Sequence, residues 1–299
     1  MIEEGSGTRE EKTYRIAGIL FRLQSEVGDP GAYLPPAMEG FASSGEPDLT
    51  LRLIDEEEAL CDPLKRFFPP RFNLRREGEK LVFGGGTGQQ SHLGYISVED
   101  SLAELGLPRL DGPWRVEEER EAVGEALRSF LAACLQVLLL REGGTLLHAA
   151  GVSTGGEAYA FVGHTGSGKT TLAARFPPGE VLGDDLLAVR PLRGDFLLYG
   201  TPWPGREGGR VAYGGLPLVA VFTLHPWAPR DMQAVGAGEA VAELMLDAPR
   251  LEWPEEESEL LDIFSSLVRR VPIYRLSVGL EDDIASFLRE FRASRGKEG

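Results

Sequence analysis

The chain has 299 residues and a formal net charge of −16, with 47 Asp and Glu against 31 Lys and Arg. That balance argues against nucleic acid and anionic membrane as partners, since both are polyanions that need cationic surface; a basic or polar peptide is electrostatically easier to attract. Hydrophobic residues make up 42%, which excludes general disorder and allows a sizeable core in one large domain or two ordinary ones.

Residues 1–12 (MIEEGSGTREEK) are polar and mixed in charge, with no apolar signal-peptide region, and are expected to be disordered. Tyr14–Leu23 reads as a strand, and residues 24–48, rich in Gly, Pro and Ser, as a loop. Leu49–Ile54 alternates as a second strand, Arg71–Phe83 suggests a hairpin turning near Glu77-Gly78, and Ser91–Val98 adds a strand. This first third is a small β-rich unit without a catalytic constellation. It is a docking or oligomerisation element, or cover for another sheet. Cys61 and Cys134 are the only cysteines, so nothing indicates a disulfide scaffold or a cysteine metal cluster.

Leu107–Pro113 is a plausible boundary, giving an N-terminal unit 1–113 and a second domain 114–299. A helix is predicted from about Val116 to Arg141, where Val123, Leu127, Phe130, Leu131, Cys134 and Leu138 recur at helical spacing, and Gly143-Gly144 ends it. Its most apolar stretch, Phe130–Leu140, is shorter than the roughly 20 residues that span a bilayer. With no membrane segment or signal peptide expected, the cytoplasm is the default location. Gly143–Val152 then starts a strand that carries His148, a type that in an apolar run is more often core than catalytic.

Gly163–Thr170 reads GHTGSGKT and fits the phosphate-loop pattern G-x-x-x-x-G-K-[ST] at every fixed position. Gly163, Gly166 and Gly168 let the backbone curl so that N–H groups, including those of His164, Thr165 and Ser167, point at phosphate oxygens. Lys169 reaches the β- and γ-phosphates, and Thr170 offers its hydroxyl to Mg²⁺. The context fits: Ala158–Val162 is an apolar strand before the loop, Thr171–Arg175 opens a helix after it, and Pro177-Pro178-Gly179 stops that helix. The helix is expected to add its positive N-terminal end.

Glu180–Val189 reads as a buried strand interrupted by Asp184 and Asp185, fifteen residues beyond Lys169. Two acids in an apolar run need compensation, and a metal ion supplies it. One acid can hold Mg²⁺ while the other accepts a proton from an attacking hydroxyl. Next, Gly200–Gly209 is a Gly- and Pro-rich loop containing Trp203 and Arg206, with Arg210 just after it. Either arginine can neutralise a transferring phosphate, or the loop is ordinary surface. Leu216–Leu224 is a buried strand, Glu239–Leu246 and Glu257–Arg269 are helices, Ile273–Val278 is a strand, and a last helix runs from about Glu281 to Arg292.

The order His148, phosphate loop, Asp184-Asp185 resembles the kinase domain of the HPr kinase/phosphorylase family. Relatives of that family associated with modified-peptide gene clusters look closer still, in LLHAAGV (Leu146–Val152), GSGKTTLAA (Gly166–Ala174), GTPW (Gly200–Trp203) and VPIYRL (Val271–Leu276). The loop and the Gly-Asp-Asp are also similar to the ATP-binding half of phosphoenolpyruvate carboxykinase. The resemblance covers residues 114–299 and weakens after Trp203. It implies an α/β fold with a P-loop kinase domain of this type behind the small β-rich N-terminal unit. It implies ATP and Mg²⁺ as cofactors, bound by Gly163 to Thr171, with Asp184 and Thr170 toward the metal. It also implies Asp185 as base toward a serine or threonine hydroxyl of a protein or peptide, His148 in support near the phosphates, and a tendency to homo-oligomers. Two departures stand out. Ala149 replaces the family's Gly after the histidine, and Val211–Val221 lacks the Glu and Arg of the family's signature, so phosphorylase activity and HPr as substrate do not follow. The expected function is ATP-dependent phosphoryl transfer. A small-molecule kinase on the same fold, and a nucleotide-gated peptide-binding protein without transfer, remain the alternatives. ATP and GTP are not distinguished by any motif.

Overall fold

Apolar alternation through the first strand region is interrupted at Ala17-Gly18, and the chain turns there, with φ of +51° and +84°. Such a two-residue turn matches the right-handed twist of its flanking strands. The single strand expected over Tyr14–Leu23 is therefore a hairpin, β1 (Glu10–Ile16) against β2 (Ile19–Ser25). The computed structural model describes residues 10–55, 74–84, 92–110, 117–203, 214–226, 230–251, 255–279 and 282–295. The protein is mixed α/β, with two sheets and five α-helices among the described residues. It divides into two units, Met1–Leu138 with Arg250–Glu256, and Leu139–Pro249 with Glu257–Gly299.

The first unit holds a seven-stranded sheet in the order β1-β2-β3-β7-β6-β5-β4. Here β3 is Leu49–Asp55, β4 Leu74–Glu77, β5 Lys80–Gly84, β6 His92–Ser97 and β7 Leu102–Leu107. The expected hairpin turns between Glu77 and Lys80. The sequence reading gave no strand at β7, which lies in the middle of the sheet, parallel to β3. In β3, Leu49, Leu51 and Leu53 are fully buried while Thr50, Arg52 and Ile54 are half-buried. This is the period-2 pattern of a strand with one face on a core. Helix α1 (Glu117–Arg141) buries Val123, Leu127, Phe130, Leu131 and Cys134, and its Phe130 meets Phe83 of β5 edge-on at 5.0 Å. By length and composition, Arg120–Arg141 also suits a membrane span, but 78% of its most apolar window is buried, as in a core helix. The division between the two compact units falls within α1, at Leu138–Leu139.

In the second unit, three parallel neighbours form the centre of an eight-stranded sheet: β9 (Glu157–Val162), β13 (Gly215–Pro226) and β15 (Ile273–Val278). Tyr159 and Phe161, Ala220, Phe222 and Leu224, and Leu276 alternate onto one face. That face is covered by α2 (Lys169–Ala173) through Leu172 and Ala173, and by α5 (Ile284–Arg295) through Ile284, Leu288 and Phe291. Phe222 lies at the centre of this packing, with the rings of Phe161, Phe291, Tyr274 and Phe287 between 5.2 and 5.9 Å away. Such a buried aromatic cluster fixes the ends of the strands from which functional loops leave. The antiparallel β14 (Asp231–Ala234) adds an edge beside β15.

The strand β8 (Thr145–Thr154) is shared. Its second half pairs β9 and β10 (Val181–Gly183), and its first half pairs β11 (Leu186–Leu192). Strand β11 continues through β12 (Asp195–Gly200) to the start of β13, which closes a circuit of strands. The strand expected over Glu180–Val189, interrupted by Asp184 and Asp185, is thus two strands, β10 and β11, with those two residues between them. Two carboxylates in a fully paired buried strand would lose their hydration, and the break leaves both half-exposed. Helices α3 (Ala237–Asp247) and α4 (Glu256–Val268) complete the described elements.

Candidate functional site

The loop 163–168 leaves β9 at its C-terminal end and enters α2 at Lys169. Its three glycines have φ of +150°, +87° and +94° at Gly163, Gly166 and Gly168. A side chain at Gly166 or Gly168 would meet no atom within 4 Å, whereas one at Gly163 would strike Ser167 Oγ at 2.8 Å. The loop is therefore tight at its start and open over its middle. Ser167 N donates to His164 O at 3.0 Å, while the Ser167 hydroxyl, in a residue only 2% exposed, has no partner. An orphaned buried hydroxyl beside an open turn of glycines fits a ligand rich in acceptor oxygens. The helix is shorter than the sequence reading needed. Its five residues leave little macrodipole, so convergent N–H groups and Lys169 are what the loop offers an anion.

Lys169 is 6% exposed, and its ammonium donates to Gly163 O and, at 3.2 Å, to His164 O. Burial pushes its pKa down, partly offset by the charges of Asp247 and then Asp185. Asp247 was not anticipated from the sequence. It is the last residue of α3 and belongs to no motif; only the fold brings its charge to bear on the loop lysine. That helix is tied to β15 by Arg275, which pairs Glu239 at 2.7 Å and also Glu243.

His148 and Asp185 meet across strands. His148 pairs Leu186 in the β8–β11 register, and Ala149 N donates to Asp185 O at 3.0 Å. These backbone links bring His148 Nδ1 to 3.1 Å from Asp185 Oδ1, with the two side chains 28% and 39% exposed. The histidine is thus neither a sealed core residue nor a free one. Thr201 is buried, and its hydroxyl bonds Leu186 O, which anchors the chain after β12 beside the paired aspartates. The indole N–H of Trp203 is buried without a partner. Arg206 and Arg210, and also Cys61, lie outside the described residues.

Among the described residues no group of three or more His, Cys, Asp and Glu is arranged to hold a metal. A Mg²⁺ that arrives with phosphates does not require one, because it takes one or two carboxylates and completes its shell with phosphate oxygens and water. Asp184 and the half-buried Thr170 are the residues of suitable chemistry for it. The second unit therefore presents an open glycine loop with a buried lysine and, close enough to act on that lysine electrostatically, an Asp–His pair and a further carboxylate. No protein-family model matches the chain, and no curated protein matches it.

Proposed function

We propose that the protein is an ATP-dependent kinase that transfers a phosphoryl group, with Mg²⁺, to a serine or threonine hydroxyl of a protein or peptide, on a P-loop domain of the HPr-kinase and phosphoenolpyruvate-carboxykinase type. The observation that carries this reading is the pairing of Asp185 with His148 at 3.1 Å, in a place where Asp185 also acts on the phosphate-loop lysine. A loop for phosphates alone suits any nucleotide-binding protein. A half-exposed carboxylate fixed beside it by a histidine suits proton removal from an acceptor.

The chain's own residues divide the work. The N–H groups of the loop and Lys169 hold the β- and γ-phosphates and offset charge as the phosphoryl group moves. Thr170 and Asp184 would hold Mg²⁺, which would supply positive charge to offset that of the phosphates. Asp185 takes the proton of the acceptor hydroxyl as that oxygen attacks the γ-phosphorus in line, and the bond from that phosphorus to the β,γ-bridging oxygen breaks and releases ADP. His148 orients the Asp185 carboxylate and is a positioning residue. The test is incubation of the purified chain with γ-labelled ATP, Mg²⁺ and lysate of its own source, beside Asp185→Asn. A labelled protein or peptide seen only with the wild type supports the reading and identifies the acceptor. Equal labelling by the variant, or no labelled product of any size, overturns it.

A further inference from the structure

Against the phosphate loop lies a cavity of about 140 Å³ whose lining includes neither His148 nor Asp185. Its walls are Leu172 of α2, Leu224 at the end of β13, Val278 at the end of β15 and Ile284 at the start of α5. Thr171 and Arg175 stand along its α2 side, and the buried, unpartnered Ser167 faces it from the loop. An aliphatic cavity of about 150 Å³ takes up a benzene ring, so the space suits one flat ring system and not a whole nucleotide. Thr171 of α2 lines it together with Gly166, Ser167 and Gly168 of the loop, so the cavity adjoins the place where phosphates would be held.

We infer that this cavity is the seat of the nucleoside, that it takes the purine by shape, and that it discriminates little between adenine and guanine. The inference rests on the nucleotide reading of the loop. Strong discrimination between bases needs fixed groups that pair with their donors and acceptors. Among the described lining residues there is no carboxylate or carboxamide side chain. Arg175 Nη1 donates to Asp282 O at 2.9 Å. The neighbouring Asp282 carboxylate accepts from Gly279 N at 2.6 Å. What remains is the hydroxyls of Ser167 and Thr171 at the loop end and an apolar wall beyond them, which holds a ring by packing.

The test is titration of the full-length protein, with Mg²⁺, by ATP, GTP and inorganic tripolyphosphate, together with Val278→Trp, which fills the cavity from a half-buried position. ATP and GTP affinities are expected to agree within about 100-fold, against about 10⁴-fold for a site that hydrogen-bonds one base edge. Val278→Trp is expected to weaken ATP about ten-fold or more, as loss of an apolar pocket does, and to leave tripolyphosphate unchanged. Should Val278→Trp not fold, photolabelling of the wild type by 8-azido-ATP replaces it, with label expected between Thr171 and Arg175 or between Val278 and Ile284. Unchanged ATP affinity in the variant, label elsewhere, or discrimination near 10⁴-fold overturns the base seat alone. Failure of the wild type to bind both ATP and tripolyphosphate overturns the nucleotide reading itself, and the base seat with it.

Discussion

The glycines of the loop do two separable jobs, and substitution to alanine separates them. At Gly163 a Cβ would lie 2.8 Å from Ser167 Oγ, 3.2 Å from Ser167 Cβ and 3.4 Å from Leu224 O. Ser167 is buried and Leu224 O is strand backbone, so neither yields easily. The φ of +150° also lies well outside the left-handed well that other residues visit. Strained backbone costs about 1–3 kcal/mol and overpacking about 1–3 kcal/mol, which gives about 2–6 kcal/mol for Gly163→Ala. At Gly166 the φ is +87° and nothing lies within 4 Å of a Cβ, so the cost is conformational only, about 1–2 kcal/mol. Gly163→Ala should therefore lose more thermal stability than Gly166→Ala, at mid-range about 4 against about 1.5 kcal/mol. Gly166→Ala should stay folded and lose tripolyphosphate binding, because its backbone relaxes away from the geometry that turns the N–H groups together. Thermal melts followed by circular dichroism, and titration calorimetry with tripolyphosphate, read the two effects. Equal losses of stability, or a folded Gly166→Ala that binds like the wild type, would refute the division.

Asp185→Asn keeps the shape beside His148 and removes the base, so transfer should fall by about 10²–10⁴-fold while ATP affinity stays near the wild type in calorimetry. Lys169 has its pKa lowered by burial from an ordinary value of 10.5. Between the folded value and 10.5 the unfolded chain binds more protons than the folded one, so this residue makes stability rise with pH across that window; Lys169→Met should flatten that slope in denaturation measured from pH 8 to 10.5, and should abolish nucleotide binding. Asp247→Asn removes a negative charge that acts at the loop; tripolyphosphate should bind more tightly at low salt, with the gain fading in about 1 M salt, where the screening length falls to about 3 Å. Phe222→Ala, at the centre of the aromatic cluster, should cost about 3–5 kcal/mol in denaturant unfolding.

The parts of the second unit that follow strong local rules were legible in sequence. The phosphate loop sits between β9 and α2 because an apolar run, a fixed glycine spacing and a proline stop each specify local backbone. Ile273–Val278 was bounded correctly for the same reason. What escaped the sequence reading depends on partners distant in the chain. Strand β7 (LAELGL) alternates weakly and is stabilised by pairing with β3 and β6 on either side. The interruption at Asp184-Asp185 shows in sequence as two acids inside an apolar run; what the sequence does not show is that β10 and β11 pair different stretches of β8. The same geometry makes His148 a site candidate, since its meeting with Asp185 follows from the strand register. Asp247 carried no local signal at all.

The charges around Lys169 set a condition on the proposed reaction. In the fold as it stands, the ammonium is held by the carbonyl oxygens of Gly163 and His164, inside the loop that would receive phosphate. A phosphate oxygen must win the lysine from those two acceptors, and charge-assisted bonds to phosphate are the stronger kind. Against that gain stand Asp185 and Asp247, whose charges already act on Lys169, with Asp184 next in the chain. Bare triphosphate brought to one lysine among three carboxylates meets more negative charge than positive. On the proposed reading, a divalent cation held by Asp184 would turn that balance favourable and leave Asp185 to the acceptor. A site built this way should bind nucleotide weakly without Mg²⁺, even though the loop is already folded. The paired aspartates would then serve two successive needs, one before the phosphoryl group moves and one as it moves.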